Sequence, residues 1–402
     1  MNSPSTGHPF RSDVFRRVDF QTHVSSLRWH ETPDTLPDSG TRYGPEEKSR
    51  NDAQLQDLMS TLKVVRKSGA YALKESTRAA LRSRLRRMII GMDLPENEDI
   101  QAHEDGFSRL TEDFVRKAKA FDPDIPDSFI GQALRNLWIF ASLQVLFFRE
   151  PNLTPSGIGY SLLYPYTDNY VDDPLITAND KKEFINRLEW KLRGYGIQPS
   201  SPLEEKVIRL IDMIGEQYPR SHNPEIYESL LAIHLAQAGS VCQQSLDVDE
   251  EENLVPLTMR KGGTSVLADA FLVRGELTPQ EFEFAFQYGV VLQLIDDFQD
   301  VQEDHARQSR TLFTTTRSRG ELERRSSKTF QLVSDLGRSR IFQDLNQGES
   351  FRQIIQTGCR MLLFEGIARN LPWFGEAFVN FIEQCSPVSL SLLGQLKSRM
   401  PD

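Results

Sequence analysis

The chain has 402 residues, 39% of them hydrophobic and 26% charged, with 57 acidic against 47 basic side chains and a formal net charge of −10. That is ample apolar material for a folded core, and the acidic balance gives no general attraction for nucleic acid, so no nucleic-acid partner is expected. Cys242, Cys359 and Cys385 lie far apart with no CxxC pair, which points away from a zinc site or a disulfide framework and fits a reducing cytoplasm.

Residues 1–50 are rich in Ser, Thr, Pro, Asp, Arg and Gly with little periodicity, and they read as a mostly flexible arm ahead of a domain over 51–402. The first residues, MNSPSTGHPFRSDVFRR, lack the apolar stretch of a secretory leader. RSRLRRM, from Arg82 to Met88, is a basic helix face, solvated on the ordinary reading, with peripheral contact to an anionic membrane as the lesser alternative. The most apolar run, LWIFASLQVLFF from Leu137 to Phe148, has 12 residues. A spanning helix needs roughly 18, so this one is expected in the core. Further on, helical apolar spacing is interrupted by Pro, Gly and Asn punctuation, as in EPNLTPSG, YGIQPSSP and RGELTP, and no alternating strand pattern stands out. Asn179-Asp180 marks one expected helix start. Thr278-Pro279-Gln280-Glu281 marks another, with Thr as N-cap, Pro in the first turn and Glu at N3. The polar, Arg/Ser-rich segment 316–350 reads as a surface helix with loops. The fold class that follows is all-α, a single bundle of about ten or more helices.

Two acidic segments stand apart from this background. LLYPYTDNYVDDP, from Leu162 to Pro174, sets Asp168 and Asp172 four residues apart on one helix face, preceded there by Ser161 and Tyr164. Pro165 is expected to kink this helix and Pro174 to end it, while Asp173 points elsewhere. The second segment, VLQLIDDFQDVQED, runs from Val291 to Asp304. With Gln293 at zero on a helical wheel, Asp296 falls at about 300°, Asp297 at about 40°, Asp300 at about 340° and Asp304 at about 20°. The same sector continues backwards through Gly289 to Phe286 and Phe282, while the other faces are apolar. An acidic run is usually a solvated helix end. Here that reading is strained, because a helix apolar on nearly all sides is usually buried and no Lys or Arg lies between Arg274 and Arg307. Carboxylates at i, i+3 and i+4 offer hard oxygen donors suited to Mg²⁺, and Mg²⁺ binds readily through carboxylates together with phosphates. An apolar wall beside them suits a ligand with a greasy tail and a phosphate head. The motifs stand 128 residues apart, room for several helices that could bring the two faces together.

Two aspartate motifs at this separation resemble the class I isoprenoid synthases. QLIDDFQD is similar to the second aspartate-rich motif of trans-prenyltransferases, and RKGGTSVLADAFLV, from Arg260, resembles the helix before it, where a lysine reaches the diphosphate. The pair DNYVDD and LIDDFQDVQED looks closer to the large bacterial terpene synthases, whose motifs run DYLDN and DYFIDQEED. Asp168–Asp172 and Asp296–Asp300 share the DxxxD pattern of squalene and phytoene synthases. The resemblance covers about residues 130–310. The arginine pair that follows the first motif in chain-elongating synthases is absent, since LITANDKK stands there, and no upstream Gly-Gly-Lys is evident. The Asn/Ser/Glu pattern of terpene cyclases is replaced by aspartates.

The resemblance implies Mg²⁺ held by Asp168, Asp172, Asp296 and Asp300, with Asp297 and Asp304 as further ligands. It implies a prenyl diphosphate substrate whose carbon–oxygen bond ionises as diphosphate leaves. Lys261, Arg307 and Arg310 become candidate diphosphate clamps, beside Gln293, each weighed against an ordinary solvated base. Tyr164, Phe282 and Phe286 become candidate pocket walls, each weighed against core packing. Three functions stay open: a terpene synthase, a prenyl transferase or coupling enzyme of the squalene or phytoene type, and a non-catalytic helical protein that binds a prenyl lipid.

Overall fold

The punctuation seen in the sequence is used as helix starts. Pro155, Pro202 and Pro279 each open a helix behind a capping hydroxyl, from Thr154, Ser201 and Thr278 respectively. Proline suits that first position because its missing N–H would have had no intrahelical partner. At Thr278 the full capping box forms with Glu281. The start expected at Asn179-Asp180 lies slightly earlier, where Thr177 accepts from the Asp180 N–H at 3.2 Å.

The computed structural model describes residues 13–37, 42–67, 98–148, 150–243, 251–343, 345 and 348–395. The basic face Arg82–Met88 lies outside the described residues. Among them are fifteen α-helices and no strand. These are α1 (Asp13–Glu31), α2 (Pro45–Lys67), α3 (Glu98–Phe121), α4 (Asp127–Phe148), α5 (Pro155–Asp172), α6 (Ala178–Leu192), α7 (Pro202–Gln217) and α8 (Pro224–Gln243). The series continues with α9 (Glu251–Arg274), α10 (Pro279–Gln299), α11 (Val301–Ala306), α12 (Arg319–Leu336), α13 (Gly348–Arg369), α14 (Glu376–Cys385) and α15 (Leu390–Leu393). The expected core helix is the second half of α4, where Leu137, Phe140, Ala141 and Leu143 are buried.

Helices α9 and α10 form the centre. Helix α9 packs against α10, α8, α1 and α4, and α10 packs on its other sides against α12 and α13. The two central backbones touch where both have glycine. A Cβ placed on Gly289 would stand 2.2 Å from the Gly262 carbonyl oxygen, and one on Gly263 would stand 2.4 Å from the Phe286 ring. No larger residue fits that crossing, and Lys261 lies immediately beside it.

Two expectations need correction. The flexible arm does not hold over residues 13–31, which form α1 with Val14, Val18 and Trp29 fully buried. Its inward stripe also carries Thr22 and Ser25, and those small hydroxyl residues hid the helical period behind a polar composition. Trp29 Nε1 donates to Glu251 at 2.8 Å and Arg260 pairs with Asp19 at 2.6 Å, so the helix is fastened directly to α9. The surface helix expected in 316–350 is α12, and it is embedded along one side through Leu322, Phe330, Leu332 and Val333. Its buried Arg325 pairs with Glu321 at 2.6 Å and Glu251 at 3.1 Å.

The glycine crossing yields a paired prediction. Gly289→Ala should lower stability by about 1–3 kcal/mol, the usual cost of overpacking, because the clash is with backbone rather than with a yielding side chain. Gly131→Ala, in exposed helix with nothing within 4 Å of the new methyl, should raise it by about 0.5–1 kcal/mol. Denaturant midpoints at constant slope check both, and equal effects at the two positions would contradict the packing described.

Candidate active site

A cavity of about 2190 Å³ opens through the bundle and is lined by both acidic motifs. Helix α5 contributes Tyr164, Asp168 and Asp172. Helix α10 contributes Gln293, Asp296 and Asp297, the α10–α11 junction Asp300, and α11 Asp304. Lys261 of α9 and Arg307 and Arg310 beyond α11 line the same space. Asp172, Asp296 and Arg307 are exposed, whereas Asp168, Asp297, Asp300, Asp304 and Lys261 are half-buried. The two faces expected to confront each other do so across one cavity. Asp173, expected to point away, lies at its rim and accepts from the Leu175 N–H at 2.8 Å.

Burial dominates the electrostatics, and crowding of charge adds to it. Burial pushes Asp168 up to about 6, Asp172 and Asp296 push the same way, and Lys261 with a Tyr164 hydrogen bond opposes them. Burial pushes Asp297 up to about 7 against the pull of Lys261, although Gln293 Nε2 donates to its Oδ1 at 2.7 Å. Asp304 rises to about 6 by burial and the neighbouring Asp300 and Asp296. Burial acts against the Lys261 ammonium, yet Asp297, Asp168, Asp296 and Asp172 together hold its pKa above the ordinary lysine value. Lysine and acids from three helices therefore share one electrostatic centre.

The helix does not continue unbroken through the second motif. Asp300 takes φ −98° and ψ 13°, which separates α10 from α11. The Asp304 N–H still donates to the Asp300 carbonyl at 2.8 Å, so the turn keeps Asp304 beside the cavity. Asp300 Oδ1 also stands 3.7 Å from Arg369 Nη1, an ion partner supplied by α13.

Phe282 and Phe286 do not line the cavity. The Phe286 ring covers Gly263, and Phe282 meets Phe271 edge-on at 6.1 Å beneath the Arg17 guanidinium at 3.9 Å. The reason is geometric. The cavity wall on α10 follows the i+4 row Tyr288, Leu292, Asp296, Asp300, and such rows are inclined to the helix axis. The line parallel to the axis instead runs from Gln293 through Gly289 to the phenylalanines, and that line faces α9. Further apolar wall comes from Phe184, Ile185 and Leu188 of α6, Leu257 of α9, and Ile355 and Met361 of α13.

Several polar residues of the site were not read from the sequence. Arg135 of α4 lines the cavity and its charge bears on Tyr164. The available clue was the polar pair Gln132 and Arg135, three apart on one face of α4. Lys181 and Arg369 also line the cavity, and only tertiary packing brings them there.

Among the described residues, no three acid, His or Cys side chains are gathered tightly enough to hold an ion unaided. The residues nevertheless fit Mg²⁺. The donors are all oxygens, they come from two facing elements, and the raised pKa values of Asp168, Asp297 and Asp304 mark a deficit of positive charge. Mg²⁺ commonly takes one or two carboxylates and fills its remaining positions with water and substrate phosphates.

No family model and no curated protein matches the chain. Among solved structures it is similar to a geranyltransferase from Legionella pneumophila, at 14% identity and a TM-score of 0.42, over 68% of this chain and 98% of that one. So loose a likeness carries no argument about chemistry, which rests on the site itself.

The raised carboxylates make stability fall with pH. Each folded-state pKa exceeds the unfolded value, so the native state holds the extra protons. The contribution is fully present below pH about 4 and is lost as pH rises through about 6 for Asp168 and Asp304 and about 7 for Asp297. The denaturation midpoint of the metal-free protein should therefore drop between pH 5 and 8, and Asp297→Asn should flatten that drop. An unchanged slope in the variant would contradict the electrostatics described.

Proposed function

We propose that the chain is a Mg²⁺-dependent enzyme that ionises a prenyl diphosphate and releases diphosphate, as terpene synthases do. The observation carrying this reading is the meeting of carboxylates from two facing elements with Lys261 in one cavity that also carries an apolar wall, from Phe184, Leu188, Leu257, Ile355 and Met361. Asp168, Asp172, Asp296 and Asp300 hold the metal, with Asp297 and Asp304 in support. Bound Mg²⁺ supplies Lewis-acid neutralisation of the leaving group. Lys261, Arg307 and Arg310, joined by Arg135, donate to diphosphate oxygens. Tyr164, Tyr288 and Phe184 turn aromatic surface to the cavity, where a ring face is worth about 0.5–2 kcal/mol to a nearby cation. Apolar walls keep water from the allylic cation once it forms.

One observation favours a second reading, the coupling of two prenyl diphosphates. A pocket for one drug-sized ligand occupies about 300–1,000 Å³, and this cavity holds about 2190 Å³. Incubation with geranyl, farnesyl or geranylgeranyl diphosphate separates the readings, since one gives products with the carbon count of the substrate and the other gives products with twice that count. Absence of diphosphate release with all three would favour the lipid-binding alternative.

Pyrophosphate with Mg²⁺ should raise the melting temperature more than either alone, because ligands that bind only the native state stabilise it and the metal needs phosphate oxygens to complete its shell. Equal shifts for Mg²⁺ alone and for the pair would argue against a diphosphate site. Asp168→Asn and Asp296→Asn should each cut diphosphate release by about 10²-fold or more without loss of fold. Asp173→Asn, which keeps an acceptor for the Leu175 N–H, should stay within about threefold of the parent by initial rate, since no charge the site depends on is removed. Comparable damage at Asp173 would show that the metal-facing side of α5 has been assigned wrongly.

A further inference from the structure

Helix α4 lays two amides against α5. Gln132 and Asn136 are four residues apart and share one face of α4. Asn136 Nδ2 donates to Ser161 Oγ at 3.2 Å and to Asp269 Oδ1 of α9 at 3.1 Å, and both acceptor residues are fully buried. Gln132 pairs with Asn169, the amide inside the first acidic motif. Asn169 Nδ2 donates to Gln132 Oε1 at 2.7 Å, and Gln132 Nε2 donates back to Asn169 Oδ1 at 3.3 Å. The second Nδ2 hydrogen of Asn169 goes to the Pro165 carbonyl at 2.8 Å. Ser161, Pro165 and Asn169 follow one another at intervals of four along α5, so α4 grips that helix on each side of its proline. Pro165 has no N–H for the Ser161 carbonyl, which leaves α5 one helical hydrogen bond short at that point. The half beyond the proline is the half that carries Asp168 and Asp172. Gln132 and Asn169 themselves line the cavity, as does Arg135 on the next turn of α4.

We propose that Gln132 and Asn169 are positioning residues that set the first acidic face for metal and diphosphate. The inference rests on the prenyl diphosphate reading of this site. The Asn169 amide is engaged in holding α4 to α5, and a carboxylate in its place would have no hydrogen to give the Pro165 carbonyl. What the pair supplies is register. It fixes the rotation and height of the second half of α5 against α4. Asp168 is the residue before Asn169 and Asp172 lies three beyond it, so their directions are fixed with it. The facing acids stand on α10 and α11, and a rotation of α5 alone changes the span across which metal and phosphate oxygens are shared. Mg²⁺ tolerates that poorly, because it demands near-octahedral geometry at about 2.0–2.1 Å. The same tie sets Arg135 relative to Asp168, since Gln132 and Arg135 lie within one turn.

The test compares the full-length parent with Gln132→Leu, Gln132→Glu, Asn169→Ala and the double variant of Gln132→Leu with Asn169→Ala. Mn²⁺ is titrated into each in excess pyrophosphate and its affinity is read by calorimetry, while metal-free melting temperatures identify the variants that retain the fold. Gln132→Leu and Asn169→Ala should each weaken Mn²⁺ binding by about tenfold or more, the usual effect of removing a group that orients a metal ligand. The double variant should bind no more weakly than the worse single one, because either change already breaks the tie. Gln132→Glu keeps the acceptor of the 2.7 Å bond and should bind at least several-fold more tightly than Gln132→Leu. Parent affinity in a folded Gln132→Leu or Asn169→Ala protein would overturn the assignment while leaving the metal site standing. So would additive losses in the double variant, or a Glu variant as weak as the Leu variant. A parent that binds no Mn²⁺ in excess pyrophosphate would overturn the functional reading itself.

Discussion

Carboxylates on α5, α10 and α11 are held around the Lys261 ammonium in one cavity, and the rest of the molecule depends on tolerating that arrangement. Like charges repel strongly where the local dielectric is low, and burial penalises each of them separately. The free protein lowers the strain by sharing Lys261 among four acids and by turning Asp300 toward Arg369. Neither device neutralises the cluster, as the raised pKa values of Asp168, Asp297 and Asp304 show. Such residual strain is characteristic of a site that awaits positive charge.

The bundle maintains this arrangement through the closeness of α9 and α10. Gly262, Gly263 and Gly289 let the two helices touch at backbone level, which brings Lys261 into reach of Asp297. Helix α1 braces α9 from the other side through Trp29 and Asp19, and Arg325 of α12 ties Glu251 at the start of α9. The strain is local and its support is distributed, so the acids can crowd without opening the bundle.

The sequence made the acidic faces legible because each face is a property of a single helix. Asp168 and Asp172 are four apart on α5, and no turn of α10 has to be known beyond its period. The Thr278 capping box was legible for the same reason. What escaped were features set by how helices cross. The wall of the cavity follows an inclined row through Tyr288 and Leu292, so Phe282 and Phe286, one above the other in sequence logic, face α9 instead. Helix α1 was hidden because Thr22 and Ser25 occupy inward positions that composition alone marks as polar. Arg135 and Arg369 carry no local pattern that distinguishes them from ordinary helical residues, and only the positions of α4 and α13 bring them to the cavity.

On the proposed reading, the two acidic faces form one site for metal and diphosphate. The most direct measurement is anomalous diffraction from crystals grown with pyrophosphate and Mn²⁺ in place of Mg²⁺. Manganese peaks are expected between Asp168 and Asp296, bridged by pyrophosphate oxygens, with the Lys261 ammonium turned onto the same anion. Manganese bound only at outer surfaces, with the cavity acids and Lys261 unchanged, would contradict it.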